Sequence, residues 1–315
     1  MNHEYISFIN PLSWTEIDII LKRIGLEYNL YHNKLEKKKY IGFSDGRLAT
    51  TGTICFVDRE PTEEIIKNLN EVMVITTDDL SKHLQDSDVI LTEDPRALFI
   101  KLFDLFEKEK KCLPFTSKIS NQIPMIDNEA IIDERAVLED GVSVGKGSVI
   151  SSGVVLKRGT VIGENCIIRE NCVIGCNGIA LYKTNERETL RFPHLAGVNI
   201  GNNVELGAGV VIVRGTLTNT VIEDDTVIGN LCNIGHGVKI GKKVWMSVGS
   251  LIGGNCTIGN YTTIGLGVRL RDNLKIGENV SIGMGSVVTK NLPSEVSVFG
   301  NPAKKLRSLT TGPKR

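Results

Sequence analysis

The sequence is poor in aromatic residues and has no excess of charge of either sign. Aromatic residues make up 5% of the 315 residues, which suits a narrow core with little room for rings. The 37 basic residues are balanced by 37 acidic ones, so no electrostatic attraction to nucleic acid or an anionic membrane is implied. No uninterrupted apolar run approaches the roughly 20 residues that span a bilayer, and MNHEYISFIN lacks a signal-peptide pattern. These absences predict a soluble cytoplasmic protein.

What the sequence does contain is an aliphatic residue at every sixth position through most of its last two-thirds. The positions run from Ile126 to Ile174, from Ile200 to Ile212 and from Ile222 to Val288. A period of six fits neither an α-helix nor one long strand. It is typical of a solenoid built from hexapeptide strands, in which three hexads form one triangular coil and equivalent positions recur every 18 residues.

The seven cysteines show neither C-x-x-C pairs nor Cys/His ligand spacing, so the sequence gives no sign of a metal site. Cys166, Cys172, Cys232 and Cys256 each lie four residues after a repeat aliphatic residue, where other hexads carry alanine, serine or threonine. We therefore interpret these thiols as small packing groups inside the solenoid.

Residues 1–117 lack the period of six and are predicted to form a small α/β domain of the nucleotide-binding type. Ser13 and Glu16 form a capping-box pattern before an amphipathic helix. The other predicted helices and strands are 62–70, 95–110, 53–57, 72–76 and 88–92.

The hexads predict a second domain over residues 118–292, followed by a tail over 293–315. The hexad register breaks over residues 176–198, which we interpret as a loop outside the prism, and again in VRGTLTNT. Insertions in solenoids commonly map to a binding face. The predicted fold class is therefore mainly β: a parallel β-helix preceded by a small α/β domain.

One histidine is placed for acid–base chemistry. His236 lies two residues after the inward Ile234, at a turn with a glycine on either side. Gly254 lies one coil further on, where a bare backbone N–H can stabilise an oxyanion. A base on one coil and an N–H on the next form the minimum set for acyl transfer to an amine. Asn230 and Asn233 are the nearest polar candidates to orient the ring. The alternative is an exposed turn histidine without a role.

The hexads, NIGHGVKIG and the loop ending in FPHLAGV resemble the left-handed β-helix acyltransferases, above all the UDP-3-O-acylglucosamine N-acyltransferases of lipid A synthesis. The resemblance implies a left-handed coil and a homotrimer with active sites between neighbouring prisms. It also implies that His236 is the general base and Gly254 the oxyanion donor.

Three segments depart from that family's pattern. Asn273 stands at the place of a second active-site histidine, and Arg59 and Thr62 replace an Asn and a Tyr in the uracil-contacting stretch. The ending, NLPSEVSVFGNPAKKL, resembles instead that of coenzyme A-dependent sugar acetyltransferases. That resemblance implies a coenzyme site in which Lys290 and Lys304 attract phosphates.

The sequence therefore predicts an N-acyltransferase that moves a short acyl group from acyl-CoA to the amine of a nucleotide-linked amino sugar, for a surface polysaccharide such as O-antigen. Phe56 is the predicted base-stacking residue. Phe192 and His194 are predicted to cover the sugar, and the pantetheine is predicted to run over Gly265 and Gly267. No metal is expected.

Three alternatives stay open at this point. The nearest is the lipid A enzyme itself, which takes a long acyl chain from acyl carrier protein. A zinc hydratase on the same prism would need three histidine ligands, and only His194 and His236 lie in the solenoid. The third is a scaffold prism without an active site.

Overall fold

The computed structural model describes residues 5–31, 38–84, 87–112 and 123–306. The predicted domain boundary after residue 117 and the last nine residues of the tail lie outside these ranges. The chain divides into two compact units. Unit 1 comprises residues 1–115 with 179–196 and 216–218, and unit 2 comprises 116–178, 197–215 and 219–315.

Unit 1 is a six-stranded sheet with helices. Its elements in chain order are β1 (Tyr5–Ser13), α1 (Trp14–Ile24), β2 (Asn29–Tyr31), β3 (Lys39–Ser44), a 3-10 turn (Gly46–Leu48), β4 (Thr53–Phe56), α2 (Glu63–Asn68), β5 (Met73–Thr76), α3 (Asp78–Ser81), β6 (Asp88–Leu91) and α4 (Pro95–Lys108). The strand order is β1-β3-β4-β5-β6-β2. Strands β3 to β6 are parallel, and β1 and β2 are antiparallel edges.

The helix ends follow from local chemistry. The Ser13 hydroxyl accepts from the Glu16 N–H, and the Glu16 carboxylate accepts from the Ser13 N–H at 2.8 Å, which confirms the predicted capping box. Asp94 caps α4 through the Ala97 N–H, and Pro95 occupies its first turn. Within the described ranges, no helix is both long and apolar enough to cross a bilayer.

Unit 2 is a β-helix of short strands. The first fifteen in chain order, apart from β16 and β17, are β7 (Met125–Ile126), β8 (Ile131–Ile132), β9 (Val137–Leu138), β10 (Ser143–Val144), β11 (Val149–Ile150), β12 (Val155–Leu156), β13 (Thr160–Ile162), β14 (Ile167–Ile168), β15 (Val173–Cys176), β18 (Val198–Ile200), β19 (Glu205–Leu206), β20 (Val211–Val213), β21 (Thr220–Ile222), β22 (Val227–Ile228) and β23 (Asn233–Ile234).

The remaining strands are β24 (Lys239–Ile240), β25 (Trp245–Met246), β26 (Leu251–Ile252), β27 (Thr257–Ile258), β28 (Thr263–Ile264), β29 (Arg269–Leu270), β30 (Lys275–Ile276), β31 (Ser281–Ile282), β32 (Val287–Val288), β33 (Ser297–Phe299) and β34 (Lys304–Lys305). They form three sheets of stacked strands, which we call faces one, two and three and which begin with β7, β8 and β9. Neighbouring strands are parallel except β33 and β34. The predicted fold class, a left-handed parallel β-helix after an α/β unit, is confirmed.

The sixth-position residues form the core of the β-helix. From Val144 to Val288 all of them are buried, including Met246. Ile126, in the first described coil, is 44% exposed. The cysteines at 166, 172, 232 and 256 are buried free thiols in the same core, as predicted.

The predicted loop over 176–198 falls within the predicted solenoid domain, whereas the structure groups residues 179–196 with unit 1. They contain a hairpin of β16 (Leu181–Lys183) and β17 (Thr189–Arg191). Phe192, Leu195 and Leu217 join the apolar core of unit 1, where Phe192 packs on Phe99 and Phe103 with ring centroids 5.9 and 5.6 Å apart. Aromatic packing of this kind carries no sequence period, so the hexad pattern could not show it.

Candidate active site

His236 lies at the corner of the β-helix where the chain passes from face three to face one. The register of Asn233 with Leu251, and of Leu251 with Arg269, repeats this corner every 18 residues. Gly254 and Asp272 therefore occupy the places equivalent to His236 in the next two coils. Coils stack at the spacing of neighbouring strands, roughly 4.8 Å, so these residues form one column.

The His236 imidazole lies against Gly254. A Cβ built on Gly254 would be 2.5 Å from Nε2, 2.7 Å from Cε1 and 2.9 Å from Cδ2 of the ring. Those separations are below van der Waals contact, so the ring fits only because residue 254 has no side chain. The proposed base and the proposed oxyanion donor are therefore in direct contact.

Partial burial changes the chemistry of this ring. The pKa of His236 is lowered from its ordinary value, chiefly because burial disfavours the charged imidazolium. The charge of Asp272 and a hydrogen bond with Asn255 act in the opposite direction and raise it. The imidazole is therefore neutral at pH 7, and a neutral imidazole can accept a proton.

Asn255 and Asp272 are not among the residues predicted from the sequence, because neither lies close to His236 in the chain. They lie 19 and 36 residues after it, which in this fold means one and two coils away. The period of 18 was the available signal, because it brings residues from successive coils to one corner.

The Gly254 N–H differs from equivalent amides at other corners. The Lys242 N–H, for example, donates to Asn260 Oδ1 of the next coil at 2.8 Å. The equivalent acceptor for Gly254 would be Asp272, but Asp272 Oδ2 instead accepts from Asn273 Nδ2 at 2.6 Å. Among the described residues we find no acceptor for the Gly254 N–H. This donor is therefore available to a ligand.

The two asparagines predicted to orient the ring are placed differently. Asn230 lies at the corner between faces two and three, and its Oδ1 accepts from the Ala208 N–H at 2.9 Å. Asn233 lies on β23 of face three and is exposed. The contact to the imidazole comes instead from Asn255.

The predicted cofactor residues lie at several places on the β-helix. Lys290 continues the column of His236, one coil beyond Asp272, and is exposed. Gly265 and Gly267 lie at the corner between faces two and three, where the space beside the Gly267 α-carbon is open. Lys304 lies on β34 at the end of face two. A single chain therefore does not bring Gly265 and Gly267 to the corner of His236.

Phe56 ends β4 in unit 1 and is partly buried against Phe99, with ring centroids 5.0 Å apart. The Arg96 guanidinium lies 5.4 Å from the Phe56 ring centroid and 5.3 Å from that of Tyr182. It also pairs with Asp58 at 2.9 Å. A planar ligand at Phe56 would therefore also meet a cation held between two aromatic rings.

Phe192 and His194 belong to the same unit. Phe192 packs among aromatic side chains as described above, and His194 is only 5% exposed. Their predicted role over the sugar stays a prediction. Across the described residues, no cluster of three or more His, Cys, Asp or Glu side chains is arranged to hold a metal ion.

The repeats and short stretches of the sequence match known proteins. The family "bacterial transferase hexapeptide (six repeats)" matches residues 255–290, and "hexapeptide repeat of succinyl-transferase" matches 134–158 and 195–214. The chain carries the hexapeptide repeats of the bacterial transferases and resembles the UDP-3-O-acylglucosamine N-acyltransferases. A protein with that name from Legionella pneumophila is 60% identical over 52 residues, 16% of this chain and 15% of the relative.

Other relatives match over similarly short segments. A probable mitochondrial UDP-3-O-acylglucosamine N-acyltransferase of Arabidopsis thaliana is 47% identical over 68 residues, which are 22% of each chain. The match thus spans about a fifth or less of the curated relatives. Among solved structures, UDP-N-acetylglucosamine acyltransferase of Francisella novicida has 23% identity and a TM-score of 0.48, covering 59% of this chain and 68% of that one.

Proposed function

We propose that the chain is an N-acyltransferase whose acceptor is the amine of a nucleotide-linked amino sugar, with a UDP-linked 3-O-acylglucosamine as the substrate class. The observation that carries the proposal is that the His236 imidazole lies against Gly254, and burial lowers its pKa, which favours the neutral form. The names of the matching relatives support the acceptor. A scaffold without activity would not need a glycine under an imidazole at one corner of the prism.

The geometry supports a role for His236 and a role for Gly254. His236 takes a proton from the sugar amine while the amine nitrogen attacks the thioester carbonyl. The Gly254 N–H donates to the oxyanion of the tetrahedral intermediate, and one such donor is worth about 2.7–4 kcal/mol. When the C–S bond breaks, the imidazolium returns its proton to the leaving thiolate. The amide forms, and the base is neutral again.

Two acyl donors are possible, a coenzyme A thioester and an acyl carrier protein thioester. The segment NLPSEVSVFGNPAKKL favours a coenzyme A thioester, with Lys290 and Lys304 proposed to attract its phosphates. The acceptor in the relatives' names favours the alternative reading, in which a long acyl chain arrives on acyl carrier protein. We infer the second, because the relatives with the matching sequences are named for that acceptor. Both donors carry the acyl group as a thioester, so the proposed roles of His236 and Gly254 are the same for either donor.

Unit 1 is the proposed nucleotide-binding part. Phe56 offers a ring for stacking, and Arg96 adds a positive charge beside it. Arg59 and Thr62 lie in the segment that follows β4 and stand where the family has an Asn and a Tyr that contact uracil. Because those two residue types are replaced in this chain, we assign contact with the nucleotide to Phe56 and Arg96.

The proposal is tested by replacing the base. His236→Ala should lower turnover by about 10²–10⁴, because proton transfer by a positioned side chain contributes on that order. The assay follows acylation of a UDP-linked 3-O-acylglucosamine with acyl carrier protein thioesters and, separately, with acyl-CoA. His83→Ala removes an exposed histidine of unit 1 and serves as the matched control.

Two results would contradict parts of this proposal. Near-normal turnover of His236→Ala would rule out its role as the base. Faster acylation from acyl-CoA than from the carrier-protein thioester would restore the coenzyme A reading and leave the role of His236 intact.

A further inference from the structure

The column at the His236 corner ends in an acidic residue. His236, Gly254 and Asp272 follow one another at intervals of one coil, and Gly254 contributes no side chain between the other two. The coils pack closely here, since a Cβ built on Gly253 would be 2.5 Å from the Asp272 N. Asp272 therefore shares the corner with His236, two coils further on and with no side chain at residue 254 between them, and its charge acts on the ring.

A short polar chain links the same residues by a second route. Asn255 is hydrogen-bonded to the His236 side chain. Asn255 Nδ2 donates to Asn273 Oδ1 at 3.4 Å, and Asn273 Nδ2 donates to Asp272 Oδ2 at 2.6 Å. The carboxylate is thereby turned toward Asn273, and Asn255 is held where it can contact the ring.

Other charged side chains lie near this corner. Lys239, Arg271 and Lys275 are on or beside the strands that meet there, and Lys290 follows Asp272 in the column. Among the charged groups near this corner, Asp272 raises the pKa of the imidazole.

We propose that Asp272 is a positioning residue for His236, whose carboxylate stabilises the imidazolium that forms when the ring takes a proton from the substrate amine. The inference rests on the proposed function. A negative charge beside a developing imidazolium lowers its free energy, while solvent weakens the effect because Asp272 is exposed. Asp272→Asn should therefore lower turnover by about two- to fivefold, the range expected for exposed charge pairs.

The test measures the ring directly as well as the reaction. The His236 imidazole is titrated by NMR in the whole protein, with its signal assigned by its loss in His236→Ala. In Asp272→Asn the pKa of His236 should fall further, because the group that raises it has lost its charge. Since the neutral ring is the active form, the acid limb of kcat/KM should move to lower pH by the same amount.

Two further variants make the result specific. Glu278→Gln removes a carboxylate that pairs with Asn260 at a different corner, and it should move neither the titration nor the turnover. Asp272→Glu keeps the charge and should restore both toward the wild-type values.

An unchanged His236 titration in Asp272→Asn would overturn the inference, even if turnover fell, because a purely structural role predicts that combination. Failure of the proposed function gives a different result: the titration would shift, but His236→Ala would remain active.

Discussion

At the scale of single residues, Gly254 provides the space that the His236 ring occupies. A methyl group at residue 254 would be 2.5 Å from Nε2, so the imidazole would have to move. Gly254 does not have a left-handed backbone, and alanine can adopt its conformation. The site therefore depends on this glycine through its missing side chain, while the fold does not.

Gly254→Ala should lower turnover by about 10²-fold, because a displacement of about 1 Å in a catalytic group has that effect. Its free energy of unfolding should change by less than about 1 kcal/mol, as at a surface position. Steady-state kinetics and urea denaturation measure the two quantities.

Gly25→Ala is the matched control. Gly25 ends α1 with a φ of 73°, and its surroundings are open. Alanine there should cost about 1 kcal/mol of stability and leave turnover unchanged. If Gly254→Ala instead lost stability and kept its turnover, the steric argument for the site would fail.

At the scale of elements, stability comes from stacked strands that are two to four residues long. Such strands are too short to be stable alone, so each depends on the coils on either side. The local signals predicted α1, α2 and α4 and the strands β4, β5 and β6 of unit 1, but not β1, β2, β3 or α3. For example, α4 was expected over 95–110 and runs from Pro95 to Lys108, and β4 was expected over 53–57 and runs from Thr53 to Phe56. The predicted and observed ends of these two elements differ by one or two residues, because the last residues of a helix or strand depend on tertiary contacts.

The same hexad position should have different weight in the middle and at the start of the β-helix. Ile240, on β24, is 1% exposed, whereas Ile126, on β7, is 44% exposed. Ile240→Ala should lower the free energy of unfolding by about 2–5 kcal/mol through lost burial and a cavity. Ile126→Ala should cost about 1 kcal/mol or less, since its side chain keeps contact with water. Equal costs in urea denaturation would show that the coils do not stabilise one another in the way described.

At the scale of the whole molecule, one corner of the β-helix presents apolar side chains to solvent. Val248, Leu266 and Met284 follow one another at intervals of 18 between faces two and three, and all are exposed. The equivalent residues at the corner between faces one and two are the polar Lys242, Asn260 and Glu278. An exposed apolar stripe of this kind is typical of an interaction surface. We propose that copies of this chain cover it, in the homotrimer predicted from the sequence.

Light scattering after size exclusion should therefore give the mass of three chains. Leu266→Glu places a charge in the stripe and should shift the protein to smaller species, because burying an unpaired charge at an interface is costly. Leu181→Glu makes the same change at an exposed leucine of the unit 1 hairpin and should leave the mass unchanged. A monomer at every concentration would contradict the trimer and, with it, any site shared between chains.

The period of six by itself determined that the last two-thirds of the chain form a β-helix, which residues point inward, and that His236 and Gly254 are neighbours, because backbone pairing between coils converts a spacing of 18 into contact. Only the tertiary structure decided which groups act on the imidazole. Asn255 and Asp272 matter through the direction of their side chains, and the sequence period specifies position but not direction. Residues 179–196 likewise group with unit 1 because Phe192 packs there, and that contact leaves no trace in the repeat.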